Sequence, residues 1–210
     1  MREDLKDMKI YRAPTDDILN LGNNENYNGQ WNDILAPELT EIIISTSLCK
    51  YGPDLQFELL DSYSKYIDVN YQKILCGPGA DSLIPLLVNA LVDKTMLSLT
   101  PDFFRYDNVA RVARIKNIKV INDENCYQNI IEECQKNEVE LVILSNPNNP
   151  LGTTHSRANL VEILDNTNCF VVIDEAYAEF GDCSIVDLLD NYPNLIILRT
   201  LSKAFCIAGL

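Results

Sequence analysis

Five short aliphatic runs, each separated from the next by a helical pattern, constrain the fold of this chain more than any other feature. Each run is mostly apolar over four or five residues, which is typical of strands that are buried on both faces of a parallel sheet. Helical segments of about ten residues between successive strands favour helices packed on both faces of that sheet. The runs are Met96–Leu99, Ile118–Ile121, Leu141–Leu144, Cys169–Ile173 and Leu195–Leu198. We therefore predict an α/β fold with a mainly parallel sheet sandwiched by helices.

The composition supports a globular protein that acts on small molecules. The chain has 210 residues, of which 47% are hydrophobic, so it is long enough to bury a sizeable core. Its formal net charge of −14 argues against a nucleic-acid binder, because such proteins need clustered Lys and Arg. The charged N-terminus lacks the apolar segment of a secretory signal. The sequence also contains no run of about 18 apolar residues, the length needed to span a membrane. We expect a cytoplasmic protein.

Cysteine and histidine usage argues against two classes of site. The seven cysteines form no CxxC pair and are odd in number, which is not typical of a disulfide framework or of a zinc site. The only histidine, His155, cannot form a multi-histidine metal centre. We expect reduced thiols and no metal ion.

No internal repeat or low-complexity linker divides the chain, so we predict one large domain over residues 31–210. Residues 1–30 are polar and weakly patterned, and we expect them to form an N-terminal arm and a segment that faces the substrate. The asparagines and glycines of Leu21–Trp31 are typical of a turn-forming loop and also of a substrate-contacting one. The pattern of Ile34–Leu48 is compatible with a short helix and with an extended segment.

Polar residues follow the predicted strands at the points where open parallel sheets bind their ligands. Lys203 comes shortly after the last strand, and Asp174 comes directly after the strand before it. The glycine-rich turn Gly77–Asp81 precedes an apolar helix, whose first amides can hold a phosphate, although such a turn also simply connects two elements. The residues of interest are Gly79, Ala80, Asp81, Phe103, Asn149, Asp174, Tyr177, Thr200, Ser202 and Lys203.

A reactive amine, a carboxylate, an aromatic face and a phosphate cradle at one sheet edge match the needs of pyridoxal 5′-phosphate. We expect Lys203 to bond covalently to the cofactor and, once substrate displaces it, to move the proton between the substrate Cα and the cofactor carbon. We expect Asp174 to pair with the pyridine nitrogen and keep it protonated, because a nearby carboxylate favours the charged form of a cation. The ring then serves as an electron sink.

The remaining residues are assigned to the ring and to the phosphate. We expect Asn149 and Tyr177 to donate hydrogen bonds to the phenolate oxygen of the ring, and Phe103 to stack on the ring face. The predicted phosphate ligands are backbone amides and two hydroxyls, from Gly79, Ala80, Asp81, Thr200 and Ser202.

The same segments resemble those of fold-type I pyridoxal-phosphate enzymes, and specifically a histidinol-phosphate aminotransferase-like member of the class I/II aminotransferases. The resemblance extends from Leu21 to Leu210 and is carried by LGNNEN, YGPD, GPGAD, PDFFRY, SNPNNPLG, VVIDEAYAEF and NYPNLIILRTLSKAFCIAGL. It implies a homodimeric transaminase of histidine biosynthesis that moves an amino group between histidinol phosphate, or a similar amino compound, and 2-oxoglutarate or glutamate. It also implies that Tyr51 reaches the cofactor phosphate of the neighbouring subunit and that Asn24 and Glu25 lie in the substrate-facing segment.

The sequence departs from the family pattern at several positions. The family usually has Tyr at Phe103, Thr at Leu151 and an acidic residue at Ser82, and phenylalanine retains stacking while losing a hydroxyl. In the family, an arginine that holds the cofactor phosphate follows the AGL segment, and a small domain with a substrate-binding arginine comes after it. Since the sequence ends at Leu210, we expect a truncated chain without the C-terminal small domain.

Two other functions stay open on the sequence alone. Threonine-phosphate decarboxylases use the same cofactor residues, so a pyridoxal-phosphate-dependent lyase is an alternative to the transaminase. A non-catalytic remnant that binds the cofactor without turnover is the other alternative. The GAD and SKAFCIAGL segments favour the aminotransferase.

Overall fold

The computed structural model describes residues 2–8, 22–26, 31–45 and 55–208. The chain divides into two compact units, of which one comprises Met1–Arg12 and Ala80–Thr200 and the other Ala13–Gly79 and Leu201–Leu210. The first unit contains the β-sheet. The predicted division into an arm over residues 1–30 and a domain over residues 31–210 stays a prediction.

The sheet of the first unit is parallel throughout, which confirms the predicted α/β class. Its order is β2-β1-β3-β4-β5, and each strand lies within two residues of a predicted aliphatic run. The strands are β1 (Thr95–Thr100), β2 (Lys116–Ile121), β3 (Leu141–Ser145), β4 (Phe170–Asp174) and β5 (Leu195–Leu198).

An α-helix lies between β1 and β2, between β2 and β3, and between β3 and β4, whereas only short 3-10 turns lie between β4 and β5. The second unit contains α1 (Trp31–Ser45) and α2 (Leu55–Ile67), and the first unit contains α3 (Ala80–Leu91), α4 (Arg105–Ala113), α5 (Cys126–Asn137) and α6 (Arg157–Asn166). Short 3-10 turns lie at Glu3–Leu5, Tyr71–Lys73, Ala178–Phe180 and Val186–Leu188. Among the described residues, no helix is both long enough and apolar enough to cross a membrane.

Alternate residues of β1, β3, β4 and β5 supply two hydrophobic clusters, one on each face of the sheet. In β3, Leu141 and Ile143 pack with residues of α3 and α4. Val142 and Leu144 pack instead with residues of α5 and α6. Because successive side chains of a strand point to opposite faces, a strand covered on both faces is apolar throughout. This explains why the strands were visible as continuous aliphatic runs.

Helix α1 resolves the ambiguous segment of residues 34–48 as a helix through Ser45. The isoleucines Ile42, Ile43 and Ile44 near its end are exposed. Consecutive β-branched residues favour a strand by local preference, and on a helix they spread around the axis without forming one face. The hydrophobic pattern of residues 34–48 therefore could not distinguish a helix from an extended segment.

The carboxylate of Glu140 holds the start of β1. Its Oε2 accepts hydrogen bonds from the amides of Asp93, Lys94 and Thr95 at 3.0, 2.7 and 3.0 Å. Hydrogen bonds from the Lys94 and Thr95 amides lower the pKa of Glu140 below its ordinary value. A carboxylate with a lowered folded-state pKa stabilises the fold above its unfolded-state pKa, and this contribution is lost as the pH falls through the folded-state pKa.

Glu140→Gln is expected to lower the free energy of unfolding by about 1 kcal/mol near neutral pH, because charge-assisted hydrogen bonds become neutral ones. The difference from the wild type should shrink on acidification, when the wild-type carboxyl takes up a proton. Urea titrations at neutral and acidic pH measure both effects. Glu124→Gln, at an exposed position before α5, is the matched control and should change stability by less than ~0.5 kcal/mol. A loss that does not depend on pH would contradict the charge effect.

Candidate active site

The carboxyl ends of the parallel strands bring several predicted site residues to one edge of the sheet. Ser145 at the end of β3 pairs with Asp174 at the end of β4, and Asp174 pairs with Leu198 at the end of β5. Tyr177 follows β4 and Thr200 follows β5. The segments that carry Asp174, Tyr177 and Thr200 therefore leave neighbouring strands at the same edge.

Asp174 is a buried carboxylate with only 4% exposure. Its Oδ2 accepts a hydrogen bond from the Tyr106 hydroxyl at 2.8 Å, and its Oδ1 accepts one from the Ala176 amide at 3.1 Å. Burial raises the pKa of Asp174, and these two hydrogen bonds oppose the shift only in part. In the part of the chain that the structure describes, no lysine, arginine or histidine forms an ion pair with it. The site therefore offers a buried negative charge that a ligand cation can neutralise.

Tyr106 links this acid to the aromatic residue predicted to face the ring. Its fully buried ring lies edge-on to Phe103, with the ring centroids 5.7 Å apart and an interplanar angle of 88°. Burial and the charge of Asp174 raise the pKa of Tyr106 well above its ordinary value, so the hydroxyl keeps its proton and acts as a donor. Sequence reasoning missed Tyr106, although its position one helical turn after Phe103 was a usable signal.

The neighbouring acid, Glu175, has a different environment. Its fully buried carboxylate accepts hydrogen bonds from the Arg199 guanidinium at 2.7 and 2.9 Å. It also accepts hydrogen bonds from the Ser184 hydroxyl and the Ile185 amide, each at 2.8 Å. Adjacent residues at a strand end face opposite sides of the sheet, so the two acids lie apart. Glu175 is paired with a guanidinium within the core, whereas Asp174 has no such cationic partner among the described residues.

A further carboxylate, Asp102, joins the loop after β1 to the end of β3. It accepts hydrogen bonds from the Phe103 amide at 2.7 Å, from the Ser145 hydroxyl, and from the Ser145 amide at 3.2 Å. The Ser145 Oγ in turn accepts hydrogen bonds from the Asn149 amide at 3.0 Å and the Asn148 side chain at 3.3 Å. Burial raises the pKa of Asp102 to about 6, although the hydrogen bonds from Ser145 and Phe103 oppose this shift. Sequence reasoning missed Asp102 and Ser145.

Helix α3 begins at Ala80, within the predicted phosphate cradle. The Asp81 carboxylate forms an ion pair with the Nε of Arg105 at 2.6 Å. Arg105 thereby offsets a negative charge that would repel an anion at the helix N-terminus.

In the second unit, the predicted catalytic lysine contacts the predicted substrate-facing segment. The Lys203 Nζ donates a hydrogen bond to the Asn23 carbonyl oxygen at 2.7 Å, and the Asn26 side chain donates one to the Ala204 carbonyl oxygen at 3.4 Å. Partial burial lowers the pKa of Lys203, and the charge of Glu25 opposes that shift. The LGNNEN and SKAF segments, distant in the sequence, are therefore neighbours.

The other predicted residues of the second unit are Gly79, Ser202, Asn24 and Tyr51. Gly79 has a φ of 76°, and a Cβ at this position would meet nothing within 4 Å, so its backbone borders open space. Asn24 also has a positive φ, of 50°, and Ser202 immediately precedes the lysine. Tyr51 lies outside the described residues. The site residues are thus distributed over both units, and the joint geometry of the acid and the lysine stays a prediction.

The chain matches the family model of class I and II aminotransferases over residues 16–210. It is 35% identical to a histidinol-phosphate aminotransferase from Clostridium novyi (strain NT), over 215 residues that cover 100% of this chain and 60% of that protein. A crystal structure of the histidinol-phosphate aminotransferase from Clostridium acetobutylicum aligns with a TM-score of 0.71 at 27% identity, covering 83% of this chain and 53% of that one. A crystal structure of an L-threonine-O-3-phosphate decarboxylase from Porphyromonas gingivalis aligns with a TM-score of 0.73 at 22% identity, covering 89% and 56%.

The chain thus spans between 53% and 60% of the length of these relatives. The likeness to the decarboxylase, at 22% identity, shows a shared fold. The family model, in contrast, covers nearly the whole sequence. This chain belongs to the class I and II aminotransferases, a family of pyridoxal-phosphate-dependent transaminases.

Proposed function

We propose that this chain is the cofactor-binding part of a transaminase that moves an amino group between histidinol phosphate, or a similar amino compound, and 2-oxoglutarate or glutamate. The two clostridial relatives are both described as histidinol-phosphate aminotransferases, which supports this amino donor. The observation that carries the proposal is the buried carboxylate of Asp174, which the described contacts leave without a cation.

The surroundings of Asp174 fit the pyridine ring of the cofactor. The carboxylate holds the ring nitrogen protonated, and the Tyr106 hydroxyl fixes the carboxylate through its hydrogen bond to Oδ2. Phe103, packed against Tyr106, would cover the ring face, and Asn149 and Tyr177 would donate hydrogen bonds to the ring oxygen. When bound, pyridoxal phosphate withdraws electrons from the substrate carbon next to the amino group, so that the proton of this carbon can be removed.

Lys203 is the residue that would hold the cofactor aldehyde, through an amine condensation that releases water, and its amine would then serve as the base for that proton. Burial lowers the pKa of Lys203, which increases the neutral fraction able to act as nucleophile and base. The Asn23 carbonyl oxygen orients the amine through the hydrogen bond at 2.7 Å. Asn24 and Glu25 follow Asn23 in the chain, and we assign the substrate to this segment.

The cofactor phosphate is assigned to the turn before α3. The open backbone at Gly79 permits the close approach of an anion, and the first amides of the helix supply donors. The proposed ligands are the amides of Gly79, Ala80 and Asp81 with the hydroxyls of Thr200 and Ser202. The resemblance adds Tyr51 from a second copy of the chain, so we propose a homodimer.

One assay separates this function from its alternatives. The chain is loaded with pyridoxal phosphate and mixed with histidinol phosphate, without an acceptor. A transaminase converts the cofactor to its pyridoxamine form, which is read by absorbance. Release of carbon dioxide from phosphothreonine would identify a lyase instead. Cofactor binding with neither reaction would identify a non-catalytic remnant.

Asp174→Asn is expected to stabilise the cofactor-free chain by about 1–2 kcal/mol at mildly alkaline pH, because no charge is then buried. The sign follows from the raised pKa of Asp174: the cost of the carboxylate is absent below its ordinary pKa and is complete above the raised one. The same change should weaken cofactor binding about tenfold or more, because a neutral amide carries no charge to form an ion pair with a protonated ring nitrogen. Urea titration and cofactor titration measure the two effects.

The exposed Asp187, changed to Asn, is the control for removing a carboxylate and should leave cofactor binding unchanged. Unaltered cofactor affinity in the Asp174 variant would remove the basis of the proposed function.

A further inference from the structure

We propose that Asp102 is a positioning residue of the cofactor site, whose carboxylate holds the backbone at Phe103 and, through Ser145, the backbone at Asn149. This inference rests on the proposed function, in which Phe103 covers the ring and Asn149 binds its phenolate oxygen. Asp102 itself is not assigned a contact with cofactor or substrate.

The hydrogen-bond partners of the Ser145 hydroxyl fix which of its atoms donates and which accepts. A hydroxyl has one donor and two lone pairs. In Ser145, the Asn149 amide and the Asn148 side chain both donate to Oγ, so the lone pairs are occupied. The hydroxyl proton must then point to Asp102, which acts as its acceptor. The network therefore requires a pure acceptor at residue 102.

The carboxylate contacts both the loop after β1 and the end of β3 directly. It receives the amide of Phe103 on one side and both the amide and the hydroxyl of Ser145 on the other. Asp102 and Ser145 lie 43 residues apart in the chain, so no local preference fixes their separation. The buried Asn148 supports the junction, since its side chain also donates to the Pro101 carbonyl oxygen at 3.4 Å.

Asp102→Asn tests the requirement for an acceptor with little change of shape. In either amide orientation, the NH₂ group faces an N–H or O–H donor of Phe103 or Ser145. Because the lone pairs of Ser145 are already used, the network cannot reverse to accommodate it. The two loops should then separate, and Asn149 should shift relative to Phe103.

The first readout is the visible absorbance band of bound pyridoxal phosphate as a function of pH. A hydrogen bond from Asn149 to the phenolate oxygen lowers the midpoint of this titration, so its loss should raise the midpoint by about one pH unit, which is tenfold in the protonation equilibrium. Glu140→Gln, which weakens a carboxylate cap at the other end of β1, is the matched control and should leave the midpoint unchanged. An unchanged midpoint in Asp102→Asn overturns the proposal.

A double-mutant cycle with Asn149→Ala tests whether the effect passes through Asn149. If Asp102 acts by placing that side chain, Asp102→Asn should add almost no shift once the side chain is absent. Full additivity of the two shifts overturns the proposal.

Hydrogen exchange of the cofactor-free chain gives a test that does not need the cofactor. In Asp102→Asn the amides of Phe103 and Asn149 should exchange faster, whereas the amide of Val172 in the sheet centre should not change. Ser145→Ala serves if the first variant does not fold, and it should accelerate Asn149 but not Phe103. Unchanged exchange at both amides overturns the proposal. If the wild type binds no cofactor, the proposed function fails, while exchange still decides the positioning role.

Discussion

Replacing Lys203 with alanine is expected to abolish the covalent fixation of pyridoxal phosphate by borohydride and to lower transamination by at least about 10²–10⁴-fold, the usual contribution of a general base. Burial lowers the pKa of this amine, so it reaches the neutral form at a lower pH than an exposed lysine does. The assay is borohydride reduction of the loaded chain, followed by proteolysis and mass spectrometry of the peptide that contains residue 203.

The matched control is Lys65→Ala. Lys65 lies on α2 in the same unit, is 72% exposed and pairs with Asp61 at 2.7 Å. Labelling at residue 203 should therefore persist in this variant. Undiminished labelling of another lysine in the Lys203 variant would contradict the assignment.

The sheet could be predicted from the sequence because a strand that is buried on both faces appears there as a continuous run of aliphatic residues. Every residue of Leu141–Ser145 is buried, and its first four residues are aliphatic. The loop that follows could also be predicted from the sequence, because its prolines and asparagines disfavour regular structure. The predicted position of Asp174 at a strand end follows from the same trace, since a carboxylate marks the point where the apolar run stops.

Contacts between residues that are distant in the sequence left no such trace. The hydrogen bond from Tyr106 to Asp174 joins residues 68 positions apart, and that from Ser145 to Asp102 joins residues 43 positions apart. Neither separation has a period that a helix or a strand would impose. The sequence therefore predicted residues for the cofactor, which stay predictions, but gave no sign of the contacts that Tyr106, Asp102 and Ser145 make beside them.

The adjacent acids Asp174 and Glu175 look alike in the sequence, but their replacement is expected to change the free energy of unfolding in opposite directions. Glu175→Ala is expected to lower the free energy of unfolding by about 3–5 kcal/mol, because it leaves the guanidinium of Arg199 buried with an incomplete set of partners. Arg199 would still contact Glu179 at 2.9 Å, which favours the lower end of that range. Urea unfolding followed by circular dichroism measures the change. Since domains have about 5–15 kcal/mol in total, this loss is a large fraction of stability.

Asp187→Ala is the control for Glu175→Ala, because Asp187 accepts two hydrogen bonds from Arg157 in an exposed pair. Exposed pairs contribute about 0–1 kcal/mol, so this variant should unfold close to the wild type. Asp174→Asn should instead raise the free energy of unfolding, since Asp174 is buried without a cation among the described residues. In the cofactor-free chain, Glu175→Ala should thus lower the free energy of unfolding by a large amount, whereas Asp174→Asn should raise it. Two losses of similar size would contradict the assignment of one acid to the core and the other to the ligand.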